Sequence, residues 1–382
     1  MCCPPQLEDS GARRQITYAI ALVLTVILAV AIAAPSALAQ GSFLPGPGPS
    51  PSPSPSPSPT PNAINVDISS GNQVLNLGSN YLERLGNQAT NGLTHDLNNN
   101  PGGGGASEAT EGPRYRSWGE VYGLSVTEDP QGVFYGDKRR ILGGVVGVGA
   151  RVTPGVNLGF SVDQSHTQVD VPLALQSATI DLTQLGFTAS IDKGPWTWAL
   201  ALVHGFGNIG SSRNTVLGVA VAGYDTKVDG ALTEISYYWD LQQQSRIVPK
   251  LDLEYVRATS GAFQEFGGLN PVSATGQTLE RTLAMVGAEV GHYWIFDRKI
   301  LDLSAYGKFV DNFSQSFSSV AVSLGPQVIS VQGIGESRYG ADAGASASFI
   351  LNNTTRVYLN YDGKFRSQLQ SHQGTLGLEL KW

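Results

Sequence analysis

The chain has 382 residues, a formal charge of -7, 41% hydrophobic but only 14% charged residues, and 46 glycines. That glycine load exceeds what an ordinary soluble domain carries, and the acidic balance argues against nucleic acid as a partner. The only cysteines, Cys2 and Cys3, lie upstream of an export signal, so the mature chain is expected to lack disulfides, thiol nucleophiles and cysteine-based metal sites.

Residues 1–39 read as that signal. Arg13 and Arg14 precede an apolar run from Tyr18 to Ala34, broken only by Thr25, and Ala37-Leu38-Ala39 forms an A-x-A cleavage pattern with Gln40 as the mature N-terminus. An uncleaved anchor is the alternative, because a spanning helix needs about 17–25 apolar residues. Small residues and Pro35 before the break favour cleavage after export by the Sec machinery. Residues 40–72 follow as a spacer. Gly41 to Pro61 is almost entirely Pro, Ser and Gly, a composition that favours extended polyproline geometry and cannot bury a core.

Residues 73–92 carry the one helical spacing in the chain. Val74, Leu77, Tyr81, Leu82 and Leu85 recur at intervals of three and four, with Glu83 and Arg84 off that face, and Asn87, Asn91 and Gly92 end it. A surface or interfacial helix would show the same stripe. Residues 93–113 are a linker rich in Asn and Gly.

Residues 114–382 read as strands with alternating faces. Val357, Leu359, Tyr361, Gly363 and Phe365 alternate with Arg356, Tyr358, Asn360, Asp362 and Lys364; Leu301 to Phe309 and Lys250 to Tyr255 do the same. Charges recur on the second face, as expected where one side meets lipid and the other a wet lumen. Short turns at 153–155, 192–194, 242–245, 297–299 and 352–355, with longer loops near 126–138, 165–177, 210–228, 258–278, 312–336 and 367–373, give twelve strands with both ends on the short-turn side. Trp196, Trp198, Tyr238, Trp239, Tyr293, Trp294 and Phe296 sit beside short turns as an aromatic girdle. The last strand places Leu376, Leu378, Leu380 and Trp382 on one face, a closing strand for a barrel that leaves no edge in lipid and an expected assembly signal.

Catalytic chemistry finds no constellation. His166 stands near Asp163 and Asp170 in an expected outer loop, where spacings of three and four share no obligatory face. G-x-S-x-G, H-E-x-x-H and P-loop motifs are absent, so neither an enzyme nor a cofactor is expected. Arg151, Lys250, Arg281, Lys308, Arg356 and Lys364 share the polar side with Asp181, Asp252, Glu254, Glu289, Asp302, Asp342 and Glu379, charges suited to setting pore electrostatics and gripping a luminal helix.

Taken together, Arg116 to Gly123, the glycine-rich Gly143 to Ser161 hairpin, and the final pair Leu359 to Phe365 and Gly374 to Trp382 resemble the translocator β-domain of bacterial autotransporters, the type V secretion family. The resemblance implies an all-β, twelve-stranded antiparallel outer-membrane barrel with a luminal helix, through which a passenger is exported. It also implies a monomeric barrel in the outer-membrane bilayer, assembled by the barrel-assembly machinery with periplasmic chaperones. The chain departs from the family in lacking a repetitive passenger in residues 40–114, and Asn98-Asn99-Asn100 falls in the linker, so self-cleavage is not carried over. Two readings stay open: a translocator that displays or exports its short N-terminal segment, and a porin-like or structural barrel plugged by it. They differ in where residues 41–92 reside.

Overall fold

A computed structural model describes residues 61–90, 114–241, 244–296, 299–352 and 354–382. Twelve long strands make the wall: β1 Tyr115–Glu128, β2 Asp137–Thr153, β3 Val156–Val171, β4 Gln176–Lys193, β5 Trp196–Thr215, β6 Gly218–Tyr237, β7 Ser245–Ser260, β8 Gln277–Phe296, β9 Lys299–Phe317, β10 Tyr339–Asn352, β11 Thr355–Arg366 and β12 Leu369–Lys381. Each pairs antiparallel with its sequence neighbours, and β12 pairs with β1 from Arg116 opposite Lys381 to Glu128 opposite Leu369. At the seam's end the Tyr115 N–H donates to the Trp382 carbonyl at 2.8 Å and the Trp382 N–H returns a bond at 3.0 Å. The ring is closed. Closure is what lipid demands, since an unpaired backbone group there costs several kcal/mol.

The two faces of the wall follow the alternation in the sequence. On β12, Leu376, Leu378 and Leu380 are 52%, 45% and 42% exposed toward the outside, while Thr375 and Glu379 are 2% and 0% exposed toward the lumen. Bulky lumen-facing side chains lie across glycines of the next strand. A Cβ on Gly377 would stand 2.2 Å from the Tyr358 ring, and one on Gly147 2.4 Å from Trp118. Part of the high glycine content therefore makes room for aromatics inside the barrel. Because Leu378 faces lipid, Leu378→Arg is expected to destabilise the barrel by up to about 2–4 kcal/mol. Leu378→Met should be nearly neutral. Equal unfolding midpoints for the two variants in a urea titration would mean that this face does not meet lipid.

Three of the expected outer loops are strands instead. β3 and β4 run on to a short 3-10 turn, Pro172–Ala174, β5 and β6 meet across Val216 and Leu217, and β11 and β12 across Ser367 and Gln368. The period of two continues through these segments with its polarity reversed, which hid them. Val169, Val171, Ala220, Ala222, Val228 and Leu369 are buried inward, and the pattern runs on into the neighbouring strand, with Ile180, Leu182 and Ile209 inward and His166, Asp181, His204 and Asp229 outward. That pattern is a hairpin standing clear of lipid with water outside and a packed core within. His166 Nδ1 lies 2.7 Å from Asp181 Oδ1, so His166 is on a strand rather than a loop, and Asp181 is an outward residue rather than a luminal one. The true long connections are 129–136, 261–276 and 318–338. The last two build a small sheet, with Gln327–Gln332, Ser319–Leu324, Ser273–Ala274 and Phe263–Gln264 in that order, over the long-loop end of the barrel.

Inside the ring stands one helix, α1, Asn65–Ala89, preceded by a 3-10 turn at Pro61–Ile64. At 1.5 Å per residue its 25 residues reach about 38 Å, more than the roughly 25 Å apolar band of such barrels. The helix was expected over 73–92. It starts earlier because the wall caps it: Ile64 offers no capping side chain, and Gln176 of β4 accepts the Val66 N–H at 2.9 Å while donating to the Ala63 carbonyl at 3.1 Å. Such a cap is invisible to local sequence. Residues 65–72, assigned to the spacer on composition, are thus helical. The signal segment, most of the spacer and residues 91–113 lie outside the described residues.

Candidate functional site: the plugged lumen

The five residues of the expected stripe, Val74, Leu77, Tyr81, Leu82 and Leu85, are all at most 2% exposed and pack against lumen-facing apolar side chains of the wall. Glu83 and Arg84, expected off that face, are enclosed as well, because the helix has protein on every side. Its three internal glycines, Gly71, Gly78 and Gly86, face β6, β7 and β8. A Cβ on Gly78 would lie 2.5 Å from Val228 and 3.2 Å from Val256. Helix-weakening glycines thus serve close approach to the wall, offsetting the roughly 1 kcal/mol each costs in propensity.

Polar contacts fix the helix in height and rotation. Tyr224 donates to Asp67 at 2.7 Å near the first turn, where an acidic residue also suits the helix dipole. Ser79 donates to Glu254 at 2.6 Å, and Lys364 pairs with Glu83 at 2.7 Å. At mid-height Arg84 Nη2 bonds Asp163 Oδ1 at 2.9 Å and Arg84 Cζ lies 3.7 Å from the centre of the Tyr122 ring, while Tyr122 and Gln184 both donate to the other Asp163 oxygen at 3.1 Å. Gln88 donates to Glu120 at 2.6 Å and to the Tyr358 hydroxyl at 2.7 Å, and Arg116 donates to the Gln88 carbonyl at 3.1 Å, close to the helix C-terminus. The lumen is therefore mixed. An apolar core surrounds the helix, and buried ion pairs lie beyond it at both ends: Arg139 with Glu128 and Asp137, and Arg366 with Asp342, toward the long loops, and Arg356 with Glu379 and Arg246 with Asp302 toward the short turns. A uniformly wet lumen is not what these residues make.

Helix polarity gives the arrangement its functional meaning. The C-terminal end, Gln88 and Thr90, meets Glu120 and Glu234 near the short turns, where β1 also starts. The N-terminal end lies at the long-loop mouth, where Ala63, Ile64 and Ile68 pack with Val272, Val320, Val322 and Val331 of the small sheet. Beside it the 333–338 segment tucks in: Glu336 accepts from Arg281 at 2.5 Å, and Arg281 also donates to Asn76 of the helix at 2.8 Å. Burial opposes ionisation of Glu336, but Arg281, Arg366 and Lys364 hold its carboxyl below the usual carboxylate range. Sequence reading missed Glu336, because a glutamate in a long loop carries no local sign of an arginine pair distant in the chain. Ala37, Ala39 and Gln40 lie outside the described residues, and no group of residues able to hold a metal ion occurs among the described ones.

Comparison with known proteins agrees with this geometry. The sequence model of the autotransporter β-domain matches residues 117–362. The translocator domain of the autotransporter NalP from Neisseria meningitidis superposes with a TM-score of 0.65 at 12% identity, covering 84% of this chain and 99% of that one. The β-domain of the Bordetella autotransporter BrkA superposes at 0.53 and 14% identity, covering 70% of this chain and all of that one, 100%. None of the curated proteins matches the chain in sequence. The family match spans well over half of the chain, and these structural likenesses add the fold: the chain belongs to the autotransporter β-domain family, a transport rather than an enzyme family, and is a translocator barrel of the bacterial outer membrane.

Proposed function

We propose that this barrel exports or displays the segment N-terminal to its helix on the outer side of the membrane. The observation that carries the reading is the direction of α1. Its N-terminus, with Pro61, lies at the long-loop end, and long loops are the outer ones in such barrels. Chain preceding Pro61 is therefore tethered at the outer mouth, having passed through the lumen that the helix then fills. In this reading the signal is cleaved after Ala39, the Sec machinery carries the chain across the inner membrane, and the Pro/Ser-rich spacer holds any displayed residues away from the surface. Leu376, Leu378, Leu380 and Trp382, on the strand that closes the ring, are the face offered to periplasmic chaperones and the barrel-assembly machinery, and one chain makes one barrel.

The test is an epitope inserted after Gly48, probed by protease shaving of intact cells. Export predicts loss of the epitope without permeabilising the outer membrane. An epitope cut only after permeabilisation would overturn export and leave a barrel plugged from the periplasmic side.

A further inference from the structure

The outer face of the wall is not smooth where β12 closes on β1. A groove of about 470 Å³ is cut into it, floored by Ser117 and Gly119 of β1 and flanked by Leu378 and Leu380 of β12 and by Val146 and Val148 of β2. The cause is a step in side-chain size. Gly119 stands between Leu378 and Val146, and Ser117 between Leu380 and Val148. A Cβ added to Gly119 would meet nothing closer than 3.8 Å. The groove lies at the short-turn end of the wall. Tyr115 and Trp382, two residues on from Ser117 and Leu380, are both exposed beside it, as aromatics at the level of lipid headgroups are. At the same rim stand Arg114 and Arg151, the Arg151 N–H donating to the Arg114 carbonyl at 2.8 Å. Among the described residues no carboxylate pairs with either guanidinium. Glu379 is engaged by Arg356 at 3.2 Å and Lys381 at 3.3 Å, and Asp192 by Asn157 at 3.2 Å and Thr197 at 2.7 Å.

We propose that this groove binds one acyl chain of a phospholipid from the periplasmic leaflet, with the lipid phosphate held by Arg114 and Arg151. Short turns face the periplasm in such barrels, which sets the leaflet. The size suits the occupant: an apolar cavity of about 150 Å³ holds one benzene, so a groove about three times larger takes on the order of eighteen carbons, one fatty acyl chain. Its flanks are aliphatic side chains, which offer a chain van der Waals contact and no hydrogen bond. From Ser117 to Arg114 is about 10 Å along the strand, a span that a chain lying in the groove and a phosphate at the rim would bridge. Guanidinium groups meet phosphate oxygens in a fork of paired hydrogen bonds, so the site selects the phosphate itself and requires no net charge on the lipid. Bound there, the lipid covers the stretch of the closing seam that Ser117 and Gly119 leave bare. This goes beyond translocation and holds whether or not anything is displayed.

The test titrates the purified full chain in detergent with dioleoylphosphatidylethanolamine or with dioleoylglycerol, which carries the same chains and no phosphate, and counts bound lipid by native mass spectrometry. One phospholipid per barrel should be retained, and the diacylglycerol should bind about tenfold or more weakly. Replacing both arginines, Arg114→Gln with Arg151→Gln, should weaken phospholipid binding by about tenfold or more, as charge-assisted hydrogen bonds are lost, and should leave diacylglycerol binding unchanged. Gly119→Leu fills the floor of the groove and should weaken both lipids in a barrel shown by its heat shift to be folded; Ser117→Leu should do the same. Equal retention of the two lipids by the unaltered chain, or of the phospholipid by the arginine variant, would overturn the phosphate assignment. Undiminished binding by both floor variants, or no retained phospholipid at all, would overturn the groove as a lipid site.

Discussion

Arg84→Ala should destabilise the folded barrel by about 3–5 kcal/mol, the usual penalty for stripping one partner from a buried ion pair. The reason is Asp163, which is 0% exposed and receives Arg84, Tyr122 and Gln184 on its two oxygens. Without the guanidinium, two neutral donors remain for a carboxylate walled off from water. The cation resting on the Tyr122 face is lost in the same substitution. A urea titration of the detergent-solubilised barrel, read by its electrophoretic heat shift, measures the loss. Asp163→Ala in the Arg84→Ala background should then cost much less than it does alone, since the pair acts as one unit. A wild-type midpoint for Arg84→Ala would contradict the anchoring role of this pair.

Much of the barrel was legible because lipid imposes a simple rule on strands. Outward Leu376, Leu378 and Leu380 alternate with inward Thr375 and Glu379, and the five short turns lie between the long strands where the sequence put them. The rule failed where lipid ends. At Val169 and Val171, and again from Ala220 to Val228, the apolar residues turn inward to cover the helix, so the same alternation with opposite polarity passed for loop. Knowing which way a strand faces requires knowing that something apolar fills the lumen, and only assembly supplies that.

The luminal site was half legible for a related reason. The Val74 to Leu85 stripe stood out because Val, Leu and Tyr recur at helical spacing. Asn65 to Asn72 did not, because Asn, Ser and Gly form helices weakly on their own. Here they are held by Gln176 on the Val66 N–H, Tyr224 on Asp67 and the wall that Gly71 approaches. The wall residues that clasp the helix, among them Asp163, Glu254 and Lys364, are each one charge on an alternating strand. Nothing local distinguishes a charge that meets the helix from one that pairs along the wall.

The helix α1 plugs a lumen that a chain could otherwise thread. An eight-stranded barrel is filled by its own side chains and one of 16–18 strands leaves an open channel, so twelve strands leave space for about one helix, roughly 10–12 Å across. That helix occupies the space along its whole length, with hydrogen bonds to the wall from Val66 near its start to Gln88 near its end. Deleting Asn65–Ala89 removes the plug but none of the backbone pairs that close the ring. Single-channel recording in planar bilayers is therefore the most direct measurement. The deletion protein, shown by its heat shift to be folded, should conduct several times more than the full chain. An unchanged conductance from a folded deletion protein would mean that the helix is not what closes the pore.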